Sequence, residues 1–439
     1  LKGKRLAEKT HSNSSLSFAF NQISAHMAEG IVTIDSTLLE PIQERVLTLY
    51  SSYGALPGFA DGLPADYLKE YFAKEVKRDT EQFLFRHFVL DFLMAQLIEK
   101  KVVYTNWPRL DNVTMHEDNT MRYRFILSQA PEIPLKEWKH FIFKQPKRKN
   151  YKDLDKQVSL FLKSENDGYK KQDFSKVEPG DWVNFELQLL DQSGEPLLPD
   201  TLTHSYWLHM TEQPLSSELQ QLFTNRSLHE RFTTTIQPLQ GSDDNAQELP
   251  CVFGVFVKSI TKGSNLCVDF FKNTFKLKTR ADTHKKLIEV FSYRDDISQR
   301  RSIIEELFHL LFTKHRFEVP KHIITRKKEL ILNSLRNQPD YHVYKGHKSF
   351  TQQVESLAEK LLKEEIIMDH IAFAEGITVT AQDIASYVHM FNNERLKEFI
   401  YFRPMIDRLE ETDTPIHHHL LSQAVLREKT LNHIIHILS

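Results

Sequence analysis

Glycine is scarce in this chain of 439 residues, with 13 against 30 phenylalanines. So few glycines leave little material for phosphate-cradling loops, dinucleotide fingerprints or a succession of tight β-turns. Cysteine is scarcer still: Cys251 and Cys267 stand alone, which excludes a disulfide scaffold and any zinc site built from four cysteines. Both read as packed or inert thiols. No run of about 18 apolar residues occurs, so the chain is not expected to span a membrane and is expected to be soluble. An excess of one charge sign is missing too. The 57 Lys and Arg residues nearly balance 59 Asp and Glu residues, where a general nucleic-acid binder would carry a positive surplus, so DNA is not an expected partner. His-Glu-x-x-His, Gly-x-Ser-x-Gly and Gly-x-x-x-x-Gly-Lys-Ser/Thr are all absent, leaving hydrolase and nucleotide-binding templates without support and no cofactor expected.

What is present is enough chain for two to four folding units. Leu16 to Phe20 and Gly30 to Ile34 alternate like strands. Asp35 or Ser36 caps a helix through about Tyr50, with Leu38, Leu39, Ile42, Val46 and Leu49 at helical spacing. The turn from Tyr53 to Pro64 holds Gly54, Gly58 and Gly62. A long helix is expected over about 65–100, then strands near 102–105 and 121–128. Between Lys136 and Lys170 ten Lys and Arg residues face five acidic ones, and this basic stretch reads as a solvated connector. Residues 177–262 read as short strands and turns. Beyond Asp269 helices are expected at about 281–317, 320–336, 349–374, 380–400, 404–411 and 416–438, edged by Pro320, Pro339, Gly346, Gly376, Pro404 and Pro415. His417-His-His419 is the one histidine cluster, but neighbours on a helix point about 100° apart and cannot close on one ion, so no metal is expected. The basic start, Leu1 to Thr10, runs into polar His11-Ser-Asn-Ser-Ser15 and not an apolar core, which argues against a retained secretory signal; a cytoplasmic location is expected.

Several local patterns fall in a telling order: Pro57-Gly-Phe-Ala-Asp-Gly-Leu-Pro64 between two helices, Pro131-Glu-Ile-Pro134, and Pro179-Gly-Asp-Trp-Val183 with Gly194-Glu195 after it. Val319-Pro320 and Glu375-Gly-Ile-Thr-Val-Thr-Ala-Gln-Asp-Ile384 follow among the helices. Collinear over about 400 residues, they resemble the trigger factor family of bacterial ribosome-associated chaperones. The resemblance implies a multidomain α+β fold with four parts. These are an α+β ribosome-binding-like tip domain (1–134), a basic linker (135–176), an FKBP-like antiparallel β domain (177–262) and an all-helical C-terminal chaperone domain with arms (263–439). It implies an ATP-independent chaperone that shields nascent or unfolded polypeptides, with the large ribosomal subunit as a partner and a homodimer in the free state.

By the same resemblance, Gly58, Phe59, Ala60, Asp61, Gly62 and Leu63 form the tip that docks at the tunnel exit, on ribosomal protein and rRNA. The family carries Gly-Phe-Arg-x-Gly-Lys there, and Ala60 and Leu63 stand where its Arg and Lys would reach phosphate. Asp61 would repel phosphate, and the first 133 residues hold fifteen Lys and Arg against seventeen Asp and Glu; ribosome docking is therefore expected to be weakened. An FKBP-type isomerase desolvates an X-Pro amide in an aromatic cup, with no nucleophile. Candidates for that hollow are Phe185, Asp200, Tyr206, Trp207, Phe232 and Phe253, each of which can equally be core or surface. Ser216 and Ser217 replace the expected Pro-Gly, and 238–244 lacks a tyrosine, so isomerase activity is expected to be weak or absent. Client binding asks for exposed apolar patches in polar rims, and Tyr341, Tyr344, Phe350, Tyr401 and Phe402, near helix breakers, are the candidates. Two alternatives stand beside the chaperone reading: an active prolyl isomerase with a divergent pocket, and a ribosome-independent holdase or assembly factor.

Overall fold

A computed structural model describes residues 15–53, 67, 70–105, 107–116, 118–143, 151–168, 175–190, 194, 196, 204–211, 218–235, 252–262, 268, 271–272, 275–292, 294–336, 338–393, 396–404 and 415–438. The chain divides into two compact units: Leu1–Gln129 with Gln188–Leu202 and Gln240–Phe253, and Ala130–Leu187 with Thr203–Leu239 and Gly254–Ser439. Both strands and helices are present, an α+β architecture.

In the first unit, β1 (Leu16–Ser24) and β2 (Met27–Ile34) form a hairpin, followed by α1 (Ser36–Tyr53), α2 (Ala73–Leu84), a π-helical turn (Phe85–Val89) and α3 (Leu90–Glu99). Strands β3 (Arg109–Met115) and β4 (Met121–Ser128) complete an antiparallel sheet of order β1-β2-β4-β3. Period-two alternation sets its inner face, because successive strand residues point to opposite sides. Ala28, Val32 and Ile34 of β2 oppose Leu127, Tyr123 and Met121 of β4, and all six are buried. Leu38, Leu39 and Ile42 of α1 and Leu93, Met94 and Leu97 of α3 are buried apolar residues of the same unit. Gly30 sits in close packing: a Cβ there would lie 3.2–3.4 Å from the side chains of Phe18, Leu127 and Leu93, which would have to give by a few tenths of an ångström.

Two expectations change here. The 102–105 segment forms no strand, only a single bridge from Tyr104 to Gln129. The partner of β4 is instead β3, an edge strand of sequence Arg-Leu-Asp-Asn-Val-Thr-Met that is exposed along most of its length. An edge strand with so little to bury carries no apolar alternation to detect. The long helix expected over 65–100 is interrupted at Phe72, where φ is −115° and ψ 17°.

The second unit contains α4 (Leu154–Gly168), most of β5 (Trp182–Leu190), β6 (His204–His209), α5 (Glu218–Phe223), β7 (Arg231–Thr234) and most of β8 (Val252–Thr261). After them come α6 (Arg280–Phe291), α7 (Arg294–Lys314), α8 (Lys321–Arg336), α9 (Tyr341–Lys345), α10 (Phe350–Ala374), α11 (Ala381–Asn392), β9 (Ile416–His417) and α12 (His418–Leu438). Capping boxes start α6 and α11: Thr279 and Asp282, and Thr380 and Asp383, each exchange side-chain and backbone bonds.

The sheet order is β7-β8-β5-β6-β9. Its two-residue edge strand β9 pairs Ile416 with Trp207 and His417 with Tyr206, so the C-terminal stretch, expected to be wholly helical, contributes a strand. One hydrophobic core joins Trp182 and Trp207 of the sheet to Val158 of α4, Leu287 of α6, Tyr387 and Phe391 of α11 and Val425 of α12. The basic stretch read as a solvated connector therefore supplies a packed helix: Asp155, Lys156 and Lys163 of α4 are exposed while Val158 is fully buried. Trp138 is buried as well, its ring 6.1 Å from that of His433.

Candidate client-binding surface

Helices α8 and α10 pack along their lengths through buried Ile323 and Ile324 on one side and Val354, Ala358 and Leu362 on the other. Between them lies α9, one short turn after Pro339 with no buried residue. Val343 is 65% exposed and Tyr344 52% exposed. Tyr341 and Phe350 meet edge to face at 6.2 Å between ring centroids, and Lys345 lies 5.9 Å from the Tyr341 ring. Two turns into α10, Leu357 is also exposed. His342, Lys345, His347 and Lys348 interleave these side chains with polar groups. The result is an apolar surface with a polar rim. Of the five residues expected to meet clients, Tyr341 and Phe350 meet here and Tyr344 is exposed on the same short helix, while Val343 and Leu357 are further exposed apolar residues of α9 and α10.

Tyr401 and Phe402 do not belong to this surface. Phe402 was expected to be exposed and is buried, its ring 6.3 Å from Phe308 and 5.2 Å from Tyr401. The physical reason is backbone satisfaction: Glu428 of α12 accepts from the N–H groups of both Tyr401 (2.9 Å) and Phe402 (3.0 Å), fastening the extended segment before Pro404. The Tyr401 hydroxyl donates to Glu364 Oε2 at 2.9 Å. Glu364 is itself fully buried and its Oε1 has no hydrogen-bond partner. Burial pushes its carboxyl up to about 7, against the pull of the Tyr401 hydroxyl and of Lys360. Next to it in sequence, Glu365 receives Lys327 at 2.7 Å, and Arg427 forks onto Asp369 at 2.9 and 2.7 Å. The signal was available: Lys363-Glu364-Glu365 stands between Leu361-Leu362 and Ile366-Ile367, a charged triplet inside an apolar run.

The isomerase-like residues take two different places. Phe185 opposes Tyr206 across β5 and β6, so their rings share a face and stack at 5.7 Å. Phe223 of α5, which sequence reading passed over, closes on Phe185 at 4.6 Å and on Phe232 at 5.8 Å. Arg226 covers the Phe232 ring at 4.1 Å. Trp207 cannot line the same hollow as Tyr206, because adjacent strand residues point to opposite faces. It lies instead in the helix-facing core with Trp182, and its Nε1 donates to His418 Nδ1 at 3.4 Å. Phe253 is buried within β8. Phe185, Trp207, Phe223 and Phe253 are thus packed side chains. Asp200 and the whole tip from Gly58 to Leu63 lie outside the described residues.

The three histidines at 417–419 also differ from expectation. They straddle a strand-to-helix junction, not a helix, and the His417 and His419 rings stand 5.2 Å apart.

Sequence models of the bacterial trigger factor protein match this chain twice, the N-terminal model over residues 17–160 and the C-terminal model over 278–412. The chain belongs to the trigger factor family. It is a divergent member. The trigger factor of Geotalea daltonii is 22% identical over 379 residues, covering 81% of this chain and 83% of that protein. That of Halothermothrix orenii is 20% identical over 416 residues, covering 89% and 95%. A solved trigger factor chaperone, studied for promiscuous substrate recognition in folding and assembly, aligns at a TM-score of 0.38 and 15% identity over 96% of this chain and all of that one. A general trigger-factor-like chaperone function follows from membership. Among the described residues, no helix of this trigger factor relative is long and apolar enough to cross a membrane.

Proposed function

We propose that this protein holds unfolded or nascent polypeptides without ATP, and that it does so on the surface built by α9 and the start of α10. The observation that carries the reading is the exposure of Val343 and Tyr344 beside the Tyr341 and Phe350 pair, apolar area left open among the described residues. Weak, adaptable apolar contact is what a binder of many sequences needs.

Prolyl isomerase activity is weak or absent in this proposal. The packing of Phe223 onto Phe185 supports it, because a cup filled by its own side chain has no room for an X-Pro amide. Ribosome docking is weakened, on the grounds that Ala60 and Leu63 supply no cation for rRNA phosphate and Asp61 supplies the wrong charge. That tip favours, as a second reading, a holdase that works away from the ribosome.

The test is light scattering of a chemically denatured client diluted into nucleotide-free buffer. Suppression of aggregation at near-stoichiometric chaperone is the expected result, and scattering identical to buffer alone would end the reading. Cosedimentation with ribosomes over a salt series separates the two docking alternatives. Tight binding that falls steeply with salt would overturn the weakened-docking proposal.

A further inference from the structure

Pro131-Glu-Ile-Pro134 and the residues up to His140 take no part in the holdase reading. They lie where the chain passes from the first unit into the second, at Ala130, and belong to the second. The only regular structure in this strap is a single 3-10 turn, Trp138–His140. Even so, Pro131, Ile133 and Trp138 are buried, while Glu132, Lys136 and Lys139 are exposed. Two prolines remove two of its backbone donors, and its attachment falls to side chains of other elements.

Three histidines, in or just beyond α7, α10 and α12, supply that attachment. His370 of α10 donates from Nε2 to the Pro131 carbonyl at 3.0 Å. His315, one residue beyond α7, receives the Lys136 N–H on Nε2 at 3.0 Å. The His433 ring of α12 meets Trp138 edge to face, and Lys139 reaches Glu375 at 2.8 Å.

The partners of His315 fix its protonation state. The Leu311 carbonyl, 3.0 Å from Nδ1, can only accept, so Nδ1 carries the proton. The Lys136 N–H can only donate, so Nε2 is bare. A second proton would set N–H against N–H across that contact and leave a charge on a ring that is 3% exposed. Its sequence neighbours Lys314 and Arg316 are cations, as is Lys136 of the strap, and the Phe141 ring stands 5.7 Å away.

The other two attachments respond in the same direction. Burial holds His370 below the ordinary imidazole value, against the Pro131 carbonyl, Asp369 and Glu132. Burial lowers His433 too, helped by Lys276, Lys139 and His436 and opposed by Glu375. A folded value below the unfolded one gives stability that is present above the unfolded value and is lost as pH falls through the folded one. Glu364 of α10, raised by burial, has the opposite sign, so acid loosens the strap without loosening that helix.

We propose that His315 is a pH-sensitive catch: its neutral ring holds the 131–139 strap on the second unit, and proton uptake releases the strap while the helices stay folded. This stands independently of the holdase reading. A released imidazole takes up its proton near pH 6.5, so one that is neutral when attached shifts the strap toward release by about tenfold between pH 7.5 and 5.5.

Residue-resolved hydrogen exchange of the full, unsubstituted chain at those two pH values, corrected for the intrinsic effect of pH, tests the catch. The Lys136 amide is expected to lose about tenfold or more in protection, and the α10 amides from Ala358 to Ile371 to lose none. Equal protection of Lys136 at both pH values would overturn the proposal, and so would an equal loss in α10, which marks general unfolding. Two substitutions then isolate His315. His315→Gln keeps an acceptor for the Lys136 N–H and cannot titrate, so its loss in acid should be about tenfold smaller. His315→Asn lacks an acceptor at the Nε2 position and should leave the Lys136 amide unprotected already at pH 7.5. An unchanged acid response in the Gln variant, or full protection in the Asn variant, would contradict the role given to His315.

Discussion

The aromatic cluster on the β5–β6 sheet and the aromatic surface at α9 use the same kinds of side chain and end in opposite states. Phe185 and Tyr206 acquire a second layer when α5 lays Phe223 4.6 Å from Phe185. Tyr344, half exposed, acquires none among the described residues, because α9 is a single turn between two longer helices whose buried contacts lie further along. Aromatic content thus does not distinguish a substrate cup from a core or a client surface. What decides is whether another element arrives to cover the rings. In this trigger factor family member the described rings of the region expected to form a catalytic hollow pack on one another, and Val343 and Tyr344 of α9 stay exposed.

The comparison can be broken first at the sheet. Phe185→Ala removes a fully buried ring and is expected to cost about 3–5 kcal/mol, read as a lower urea midpoint, while client capture per folded molecule is unchanged. A variant that kept its stability and gained isomerase turnover would mean that the cup opens readily.

The next effect concerns Glu364, which ties α10 to the 400–403 segment through Tyr401. Its carboxyl is raised by burial from 4.5 to about 7, so the folded state holds a proton that the unfolded state has released. Stability from this group is complete below the unfolded value, falls as pH rises between the two, and stays reduced above about 7. Glu364→Gln keeps an acceptor for the Tyr401 hydroxyl and removes the buried charge. It is expected to stabilise the protein by up to about 3 kcal/mol at pH 8, with the difference vanishing in acid. Thermal melts at pH 4.5 and pH 8 check this, and a variant less stable at pH 8 would show that the ionised form is held by partners stronger than its burial.

The smallest effect on stability sharpens the other side. Val343→Ser with Tyr344→Ser alters exposed positions, so the urea midpoint should move by no more than about 0.5 kcal/mol in free energy. Aggregation suppression should nevertheless fall several-fold. Equal losses in both would place these residues in the packed core between α8 and α10.

Much of this was legible in the residues. The alternation in β2 and β4 and the periodicity of α8, α10 and α12 identify their elements, since each has one face to bury. Strand β3 was hidden because an exposed polar edge has no alternation. The pairing of β9 with β6 was hidden because two residues carry no period, and the contact joins positions about 210 apart. At the candidate surface, the breakers near 339 and 346 bound a short helix, α9, on which Tyr344 is exposed and Tyr341 half-buried. The same logic misplaced Phe402, because a proline marks where a helix cannot continue and says nothing about a carboxylate such as Glu428 waiting to hold the strand it releases. Tyr206 and Trp207 were grouped by type, where strand parity alone would have separated them.

Site-specific photo-cross-linking tests the central contrast most directly. A photoreactive phenylalanine analogue replaces Tyr344 in one variant and Phe232, on the sheet cluster, in another, and each is irradiated with an unfolded client in nucleotide-free buffer. Strong client adducts from position 344 and none above background from position 232 are predicted. Adducts from 232 with none from 344 would contradict the account, placing client binding on the sheet and leaving the α9 surface without a role.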